Sequence, residues 1–129
     1  MRDFAEVDRR LRQILDPLRS RFVVTKDSPE GLAIEIPGLE GKPWGYIAGV
    51  RHGKAYVSFY LMSIYASPEL MASMSPELRR HMQGKACFNF TRIDEPLFAE
   101  LARLTETGLE HFVANAQQAD KERTPARSR

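Results

Sequence analysis

The stretch GYIAGVRHGKAYVSFYLM, residues 45–62, decides the predicted fold because it contains two strand-like runs joined by a turn signal. The turn signal is His52-Gly53, and the flanking runs are rich in β-branched and aromatic residues, which is typical of a β-hairpin. Apolar side chains alternate along the second run and define one face: Ala55, Val57, Phe59 and Leu61. The residues between them define the other face: Tyr56, Ser58, Tyr60 and Met62. This period of two predicts a strand with one side in the core and the other side turned away from it.

A second hairpin is predicted upstream of this stretch. FVVTKD (22–27) is rich in β-branched residues, SPEG (28–31) is a turn sequence, and LAIEI (32–36) alternates. Before this hairpin, apolar residues recur at spacings of three and four, which predicts an amphipathic helix. The members of the apolar stripe are Phe4, Val7, Leu11, Ile14, Leu15, Leu18 and Phe22. Pro17 lies inside the stripe and is expected to interrupt the last turn of this helix.

Two copies of Ser-Pro-Glu follow the central hairpin and predict two short helices in tandem. Ser67 and Ser75 are good N-caps, and Pro68 and Pro76 suit the first helical position. Gly84 is expected to end the second helix in the left-handed conformation, as glycine commonly does.

Another strand and a long helix complete the predicted domain. KACFNFTR (85–92) alternates and predicts the strand, and IDEPLFAELARLTETGLEHFVANAQQA (93–119) predicts the helix. Asp94 is its expected cap, and Gly108 weakens its middle.

The predicted order is therefore a helix, four strands, two short helices, a strand and a long helix. This order predicts an α+β fold, with a mostly antiparallel sheet and the terminal helices on one face of it. Residues 1–119 are expected to form a single domain, and the charged segment DKERTPARSR (120–129) is expected to be a disordered tail.

Composition disfavours several classes of protein. The chain has 129 residues, of which 43% are hydrophobic and 28% charged, as expected of one soluble globular domain. It has no apolar run of the ~18 residues that a membrane span needs, and the charged start MRDFAEVDRR is unlike a secretory signal. The single cysteine cannot form an internal disulfide, so we expect a cytoplasmic location and no membrane partner. The net charge is only +2 and its basic excess lies at the two ends, which disfavours nucleic acid as a partner.

The segment HMQGKACFNFTRID, residues 81–94, contains residue types used in phosphate binding, thiol catalysis and metal binding. A phosphate loop is excluded because Arg79 takes the place of its first glycine and Ala86 that of its metal-binding hydroxyl. Cys87 is a candidate nucleophile, but no base lies at a local spacing from it. The three histidines of the chain have no metal-ligand spacing. We therefore predict no catalytic residue, no metal ligand and no cofactor.

Three motifs lie between residues 42 and 110, in KPWGYIAGVRHGKAYVSFYLMSIYASPELMASMSPELRRHMQGKACFNFTRIDEPLFAELARLTETGLE. They are His-Gly-Lys before an aromatic strand, Gly-Lys-x-Cys-Phe-x-Phe, and Ile-Asp-Glu at the start of the last helix. Together they resemble the YdhG-like family of small bacterial domains of unknown function, over residues 40–112. Some members of that family are described as frataxin-like iron chaperones. The resemblance implies the fold and makes an iron-binding chaperone the first alternative function.

Iron carriage of the frataxin kind uses carboxylates along the first helix and the nearby strand. The first helix of this chain offers four of them, which are Asp3, Glu6, Asp8 and Asp16. Six arginines interleave with these acids, and guanidinium groups beside carboxylates lower the affinity of the site for a hard cation. A solvated helix face with ion pairs is the other interpretation of this segment.

The predicted site is the side of the sheet that faces away from the helices. Six residues are predicted to form a binding patch there, with the tryptophan at its rim: Trp44, Tyr56, Ser58, Tyr60, Lys85 and Asn89. Tyrosine and tryptophan on an otherwise polar surface are typical of interaction patches, although loops, the two short helices or a second subunit could also cover such a side. We predict a non-enzymatic binding or accessory module with an unidentified protein or small molecule as its partner, and homodimer formation stays open. A thiol enzyme that uses Cys87 is the second alternative.

Overall fold

Antiparallel pairing joins the strands of the computed structural model, which describes residues 4–123. The result is a six-stranded sheet in the order β1-β2-β3-β4-β6-β5. Its strands are β1 (Val23–Ser28), β2 (Gly31–Glu35), β3 (Tyr46–His52), β4 (Val57–Leu61), β5 (Met82–Gln83) and β6 (Cys87–Phe90). Both predicted hairpins are therefore present, and β1 and β5 lie at the two edges of the sheet. A bulge between Val24 and Lys26 interrupts the edge strand β1.

Helices precede, interrupt and follow the strands in the order that the sequence predicts. They are α1 (Ala5–Ile14), α2 (Asp16–Arg19), α3 (Met62–Ala66), α4 (Pro68–Ser73), α5 (Pro76–Arg79), α6 (Glu95–Thr107) and α7 (Leu109–Arg123). Pro17 lies in the first turn of α2 and separates it from α1, as expected of a residue without a backbone donor. The predicted α+β fold is confirmed. None of the helices between residues 4 and 123 is both long enough and apolar enough to cross a membrane.

The strands bury one side against the helices through strict alternation. In β4 and β6 the fully buried side chains are Val57, Phe59, Leu61, Phe88 and Phe90. Each such side chain contributes about 1.5–3 kcal/mol when it is removed from water, so this alternation holds most of the sheet against the helical layer. The predicted core face is thus confirmed within the strands. Ala55 is the exception, because β4 begins only at Val57 and leaves Ala55 exposed in the preceding turn.

Side-chain caps start the helices at the predicted residues. The hydroxyl of Ser67 accepts a hydrogen bond from the Leu70 amide in α4, and the hydroxyl of Ser75 accepts one from the Leu78 amide in α5. The carboxylate of Asp94 accepts one from the amide of Leu97 in α6. Each bond satisfies one of the amides that a helix leaves without a partner at its start, which is worth about 1 kcal/mol.

Several local features differ from the prediction. Gly84 has the expected positive φ of 79°, but it lies in the turn between β5 and β6 and not at a helix end. The short elements α3 and β5 were not predicted, and the long final helix is divided in two at Gly108. Helix α7 continues to Arg123, so residues 120–123 of the predicted tail are helical, and residues 124–129 lie outside the described part of the chain.

A bulge between β2 and β3 changes which side chains reach each side of the sheet. Ile34 pairs with Ala48, but the next residue, Glu35, pairs with Tyr46, so that Ile47 is an extra residue. Ile47 is fully buried in the core. Because one extra residue reverses the alternation, Tyr46 lies on the side away from the helices.

Buried polar contacts tie α1 to the edge of the sheet. Asp8 is only 9% exposed, and its carboxylate lies 2.6 Å from Nδ1 of His52 in β3. Nε of Arg12 donates to the same carboxylate at 2.5 Å, and Nη2 of Arg12 donates to the carbonyl of Ser28 at 2.7 Å. These bonds position α1 over β3 and the end of β1.

Candidate functional site

The side of the sheet that faces away from the helices is called the second face here. Pairing across the strands brings its members together, because Gly49 lies opposite Tyr60, Ser58 opposite Asn89 and Tyr60 opposite Cys87. The residues of the second face are Lys26, Ser28, Gly31, Ala33, Glu35, Tyr46, Gly49, Arg51, Ser58, Tyr60, Gln83, Cys87 and Asn89. Most of these side chains are partly exposed, whereas those on the opposite side of β4 and β6 are fully buried. The second face is thus an accessible surface of polar and aromatic groups.

A hydrogen-bond network centred on Asn89 fixes the middle of the second face. Its carboxamide oxygen accepts from the hydroxyl of Ser58 at 2.6 Å and from the thiol of Cys87 at 3.4 Å. Its amide nitrogen donates to the side-chain oxygen of Gln83 at 2.6 Å. Ser58 is only 2% exposed, so this network satisfies a hydroxyl that water does not reach. The side chains of three strands are therefore held in fixed positions.

Tyr46 lies over a glycine in the centre of the second face. A side chain added at Gly49 would place its Cβ 2.2 Å from the Tyr46 hydroxyl and 2.5 Å from the carbonyl oxygen of Leu32. Glycine is therefore required at this position for the phenol ring to lie against the strand. Burial raises the pKa of the Tyr46 phenol, and the nearby Tyr60 adds to this effect. The Tyr46 phenol therefore stays neutral at physiological pH and is able to donate a hydrogen bond.

Tyr60 is the half-exposed aromatic group of the second face. Burial raises the pKa of its phenol, the neighbouring thiol of Cys87 raises it further, and the charge of Arg51 acts in the opposite direction. A phenol with a raised pKa is a neutral donor at physiological pH and not a base. The two tyrosines therefore offer hydrogen bonding and aromatic contact to a partner.

The structure brings together three of the predicted site residues and separates the other three. Ser58, Tyr60 and Asn89 lie side by side on β4 and β6. Tyr56 is half-buried in the turn that precedes β4, and Lys85 is exposed in the turn between β5 and β6. The ammonium group of Lys85 lies 5.6 Å from the ring of Tyr65, outside the strands of the second face.

Trp44 packs against a helix and not at the rim of the second face. It lies in a 3-10 turn, Pro43–Gly45, and its indole nitrogen donates to the carboxylate of Asp120 in α7 at 3.0 Å. The guanidinium carbon of Arg123 lies 5.0 Å from the centre of the indole ring. Trp44 therefore anchors the end of α7, and its aromatic side chain serves packing.

Within residues 4–123, the hydrogen-bond partner of the Cys87 thiol is an amide and not a catalytic base. This thiol is half-buried and donates to Asn89, as described above. Each of the three histidines has another partner: Nδ1 of His81 contacts the carbonyl of Asn89, His52 contacts Asp8, and His111 contacts Asn115. The groups that touch this thiol are therefore amide and phenol groups, which do not activate a nucleophile.

The acids of the first helical segment are engaged by arginines. Glu6 accepts from Nε of Arg9 at 2.6 Å, and Asp16 lies 3.5 Å from Nε of Arg19. Asp8 bonds to an arginine and a histidine, as described for α1, and Asp3 lies outside the described residues. Between residues 4 and 123, no group of three or more histidine, cysteine, aspartate or glutamate side chains is arranged to hold a metal ion.

Comparisons with known proteins give no independent indication of a family. No protein-family model, no curated protein and no solved structure matches this chain. The resemblance to the YdhG-like family accordingly stays a prediction that rests on the three sequence motifs.

Proposed function

We propose that this chain is a non-enzymatic binding module whose second face takes a protein partner. The observation that carries the proposal is the fixed, partly exposed network of Ser58, Asn89 and Gln83 beside two tyrosines. Side chains that are already held in place lose little conformational freedom when a partner binds, which favours affinity. Tyrosine supplies a large contact area with few rotatable bonds, and it is enriched where interfaces concentrate their binding energy.

The composition of the second face favours a partner with a polar, nearly neutral surface. It offers hydroxyl, carboxamide and phenol groups, and its charged side chains are Lys26, Glu35 and Arg51, two positive and one negative. Interfaces that form and dissociate are about as polar as the rest of the protein surface, with tyrosine and arginine enriched. A folded protein that presents hydrogen-bonding groups to Tyr60 and Arg51 fits this surface.

Replacing Tyr60 by alanine tests the proposal. The side chain is half-exposed, so we expect the melting temperature of Tyr60→Ala to stay close to that of the parent chain. Removal of an interface tyrosine typically reduces the binding free energy by more than about 1 kcal/mol. We therefore expect the affinity for the partner to fall about fivefold or more. The measurement is quantitative capture of partners from an extract of the source cells on the immobilised chain, followed by a direct binding titration of the captured protein.

Tyr65→Ala is the matched control, because Tyr65 is 57% exposed but belongs to α3 and not to the sheet. Its capture profile should equal that of the parent chain. Equal losses of captured partner in the two variants would show that the second face is not the binding surface. The same conclusion follows if Tyr60→Ala lowers the melting temperature strongly but leaves the amount of captured partner unchanged. Sedimentation of the purified chain identifies a second copy as the partner if a dimer forms and Tyr60→Ala dissociates it.

The two alternative functions have less support. An iron-binding chaperone needs free carboxylates, and the acids of α1 are paired with arginine or histidine side chains. A thiol enzyme needs a base beside Cys87, and the histidines of the chain bond to other groups. The resemblance to frataxin-like members of the YdhG-like family remains the motivation for the first alternative.

The cytoplasm is the compartment that we propose for this module. Its one cysteine, Cys87, is a free thiol, and free thiols persist where the environment is reducing. The absence of a spanning helix between residues 4 and 123 is compatible with this location.

A further inference from the structure

A cavity of about 400 Å³ lies between α3 and α4 on one side and α6 and α7 on the other. Its walls combine apolar groups from Ala66, Leu70 and Phe112 with polar groups from Ser63, Arg103 and His111. Sites for small molecules in proteins have volumes of roughly 300–1,000 Å³ and the same mixture of an apolar lining with a few polar groups. This cavity is separate from the second face, since helices form it.

Gly108 brings the two pairs of helices close together at the floor of the cavity. A Cβ atom at this position would lie 2.5 Å from Cδ1 of Leu70 and 3.5 Å from Cβ of Ser63. The same glycine separates α6 from α7, so the last helix is divided at the point where the cavity lies. Because residue 108 has no side chain, α3 and α4 can pack closely against the junction of α6 and α7. The same missing side chain leaves space for the cavity beside this contact.

Ser63 is the least exposed residue of the lining, at 2%. Its hydroxyl is buried and is the one such side-chain atom within residues 4–123 that lacks a hydrogen-bond partner. Buried polar groups normally have partners, because an unsatisfied group loses its bonds to water without compensation. A ligand that carries a hydroxyl or carbonyl group at its deep end would supply the missing partner.

Arg103 provides a cation in the lining of the cavity. It is exposed, and its guanidinium forms no ion pair with any residue between 4 and 123. Glu69 also lines the cavity and lies in the first turn of α4. Arg103 is the cationic group of the lining that can form a charged hydrogen bond with a carboxylate ligand.

The backbone of Arg103 and the side chain of Ser63 lie at different positions along the axis of α6. Ser63 packs against Gly108, which is five residues beyond Arg103, or about 7.5 Å along a helix axis. We propose that this cavity binds a small carboxylate whose apolar body ends in a hydroxyl or carbonyl group. The carboxylate bonds to Arg103, the apolar body lies against Leu70 and Phe112, and the far polar group bonds to Ser63.

Three related compounds test each part of this proposal. They are 3-(4-hydroxyphenyl)propionate, 3-phenylpropionate without the hydroxyl, and the neutral amide 3-(4-hydroxyphenyl)propionamide. Binding is measured by titration of the ¹⁵N-labelled chain in two-dimensional NMR. We expect the hydroxylated carboxylate to bind most tightly, with shifts confined to residues that line the cavity. Loss of either polar group should weaken binding about tenfold, as expected for one hydrogen bond to a charged or buried partner.

Two variants connect those differences to the residues. Arg103→Gln should remove the advantage of the carboxylate over the amide, and Ser63→Ala should remove the advantage of the hydroxylated compound over 3-phenylpropionate. Ser63→Ala should be at least as stable as the parent chain without ligand, because it removes an unsatisfied buried group. Arg92→Gln is the control for charge, since Arg92 is exposed and lies outside this cavity.

The proposal is overturned if the three compounds bind equally or if none binds. It is also overturned if the shifts map to the second face, or if Arg92→Gln weakens binding as much as Arg103→Gln. None of these outcomes tests the partner of the second face, so the two proposals are tested independently.

Discussion

Replacement of Asn89 by alanine should destabilise the chain by about 2–4 kcal/mol, because three hydrogen bonds depend on its carboxamide. Two of these bonds, to Cys87 and Gln83, involve partly exposed groups and are each worth about 1 kcal/mol or less. The third bond satisfies the hydroxyl of Ser58, which is 2% exposed. Its loss removes the Asn89 partner of a buried hydroxyl, at a cost of roughly 1–3 kcal/mol.

A double-mutant cycle separates the cost of the stranded hydroxyl from the other effects. Ser58→Ala alone removes both the hydroxyl and its bond, so it should cost about 1 kcal/mol. In the Ser58→Ala/Asn89→Ala chain no hydroxyl is left without a partner. The double variant should therefore be more stable than the sum of the single effects predicts, by about 1 kcal/mol. Urea denaturation followed by circular dichroism gives the free energy of unfolding of each variant.

Asn115→Ala is the matched control for this cycle. Asn115 is exposed on α7 and its side chain contacts the exposed His111, so its replacement should change the free energy of unfolding by less than about 0.5 kcal/mol. The reasoning is refuted if the effects of Ser58→Ala and Asn89→Ala add within error. Additive effects would mean that Ser58 finds another partner and that the second face is not held by Asn89.

Two further predictions concern the centre of the sheet and the contact between α1 and α6. Gly49→Ala should cost about 1–3 kcal/mol in urea denaturation, because its Cβ meets the backbone carbonyl of Leu32, and Tyr46→Phe in the same chain should recover only part of this loss. Arg10 donates from Nε to Glu95 at 2.8 Å and holds the pKa of that carboxyl below its usual value of 4.5. A lowered pKa in the folded state contributes stability at neutral pH that is lost as the pH falls from 4.5 through the folded value. Glu95→Gln should therefore flatten the decline of the melting temperature in that acidic range, and an unchanged pH profile would contradict this.

Much of the fold follows from local patterns in the sequence. The alternation at Val57, Phe59 and Leu61 predicts which side of β4 is buried, because a strand has a period of two and one side must face the helices. Serine or aspartate caps mark the starts of three helices. This signal is also local in sequence, because the side-chain oxygen of the cap accepts a hydrogen bond from a free amide in the first turn. The same alternation predicts that Ser58 and Tyr60 lie together on the second face.

The rest of the site depends on contacts that no local pattern encodes. The extra residue Ile47 moves Tyr46 to the second face, and its effect depends on the register between β2 and β3. Alternation alone would place Tyr46 with the buried Ala48 and Val50. Trp44 was predicted at the second face, but its partner Asp120 lies far along the chain in a segment predicted to be a tail. Gly49 was visible in the sequence, and a glycine inside a strand was the available signal that a ring lies close against the backbone.

The two edges of the sheet have a consequence for the behaviour of the chain at high concentration. Unpaired strand edges can add strands from other molecules and begin aggregation. The edge strand β1 contains a bulge and carries the exposed charges of Lys26 and Asp27, and Asp27 pairs with Arg12 and Arg19. The other edge, β5, has only two residues and offers little backbone to a second chain. Both edges therefore disfavour fibre growth, and contacts with other molecules are directed to side chains.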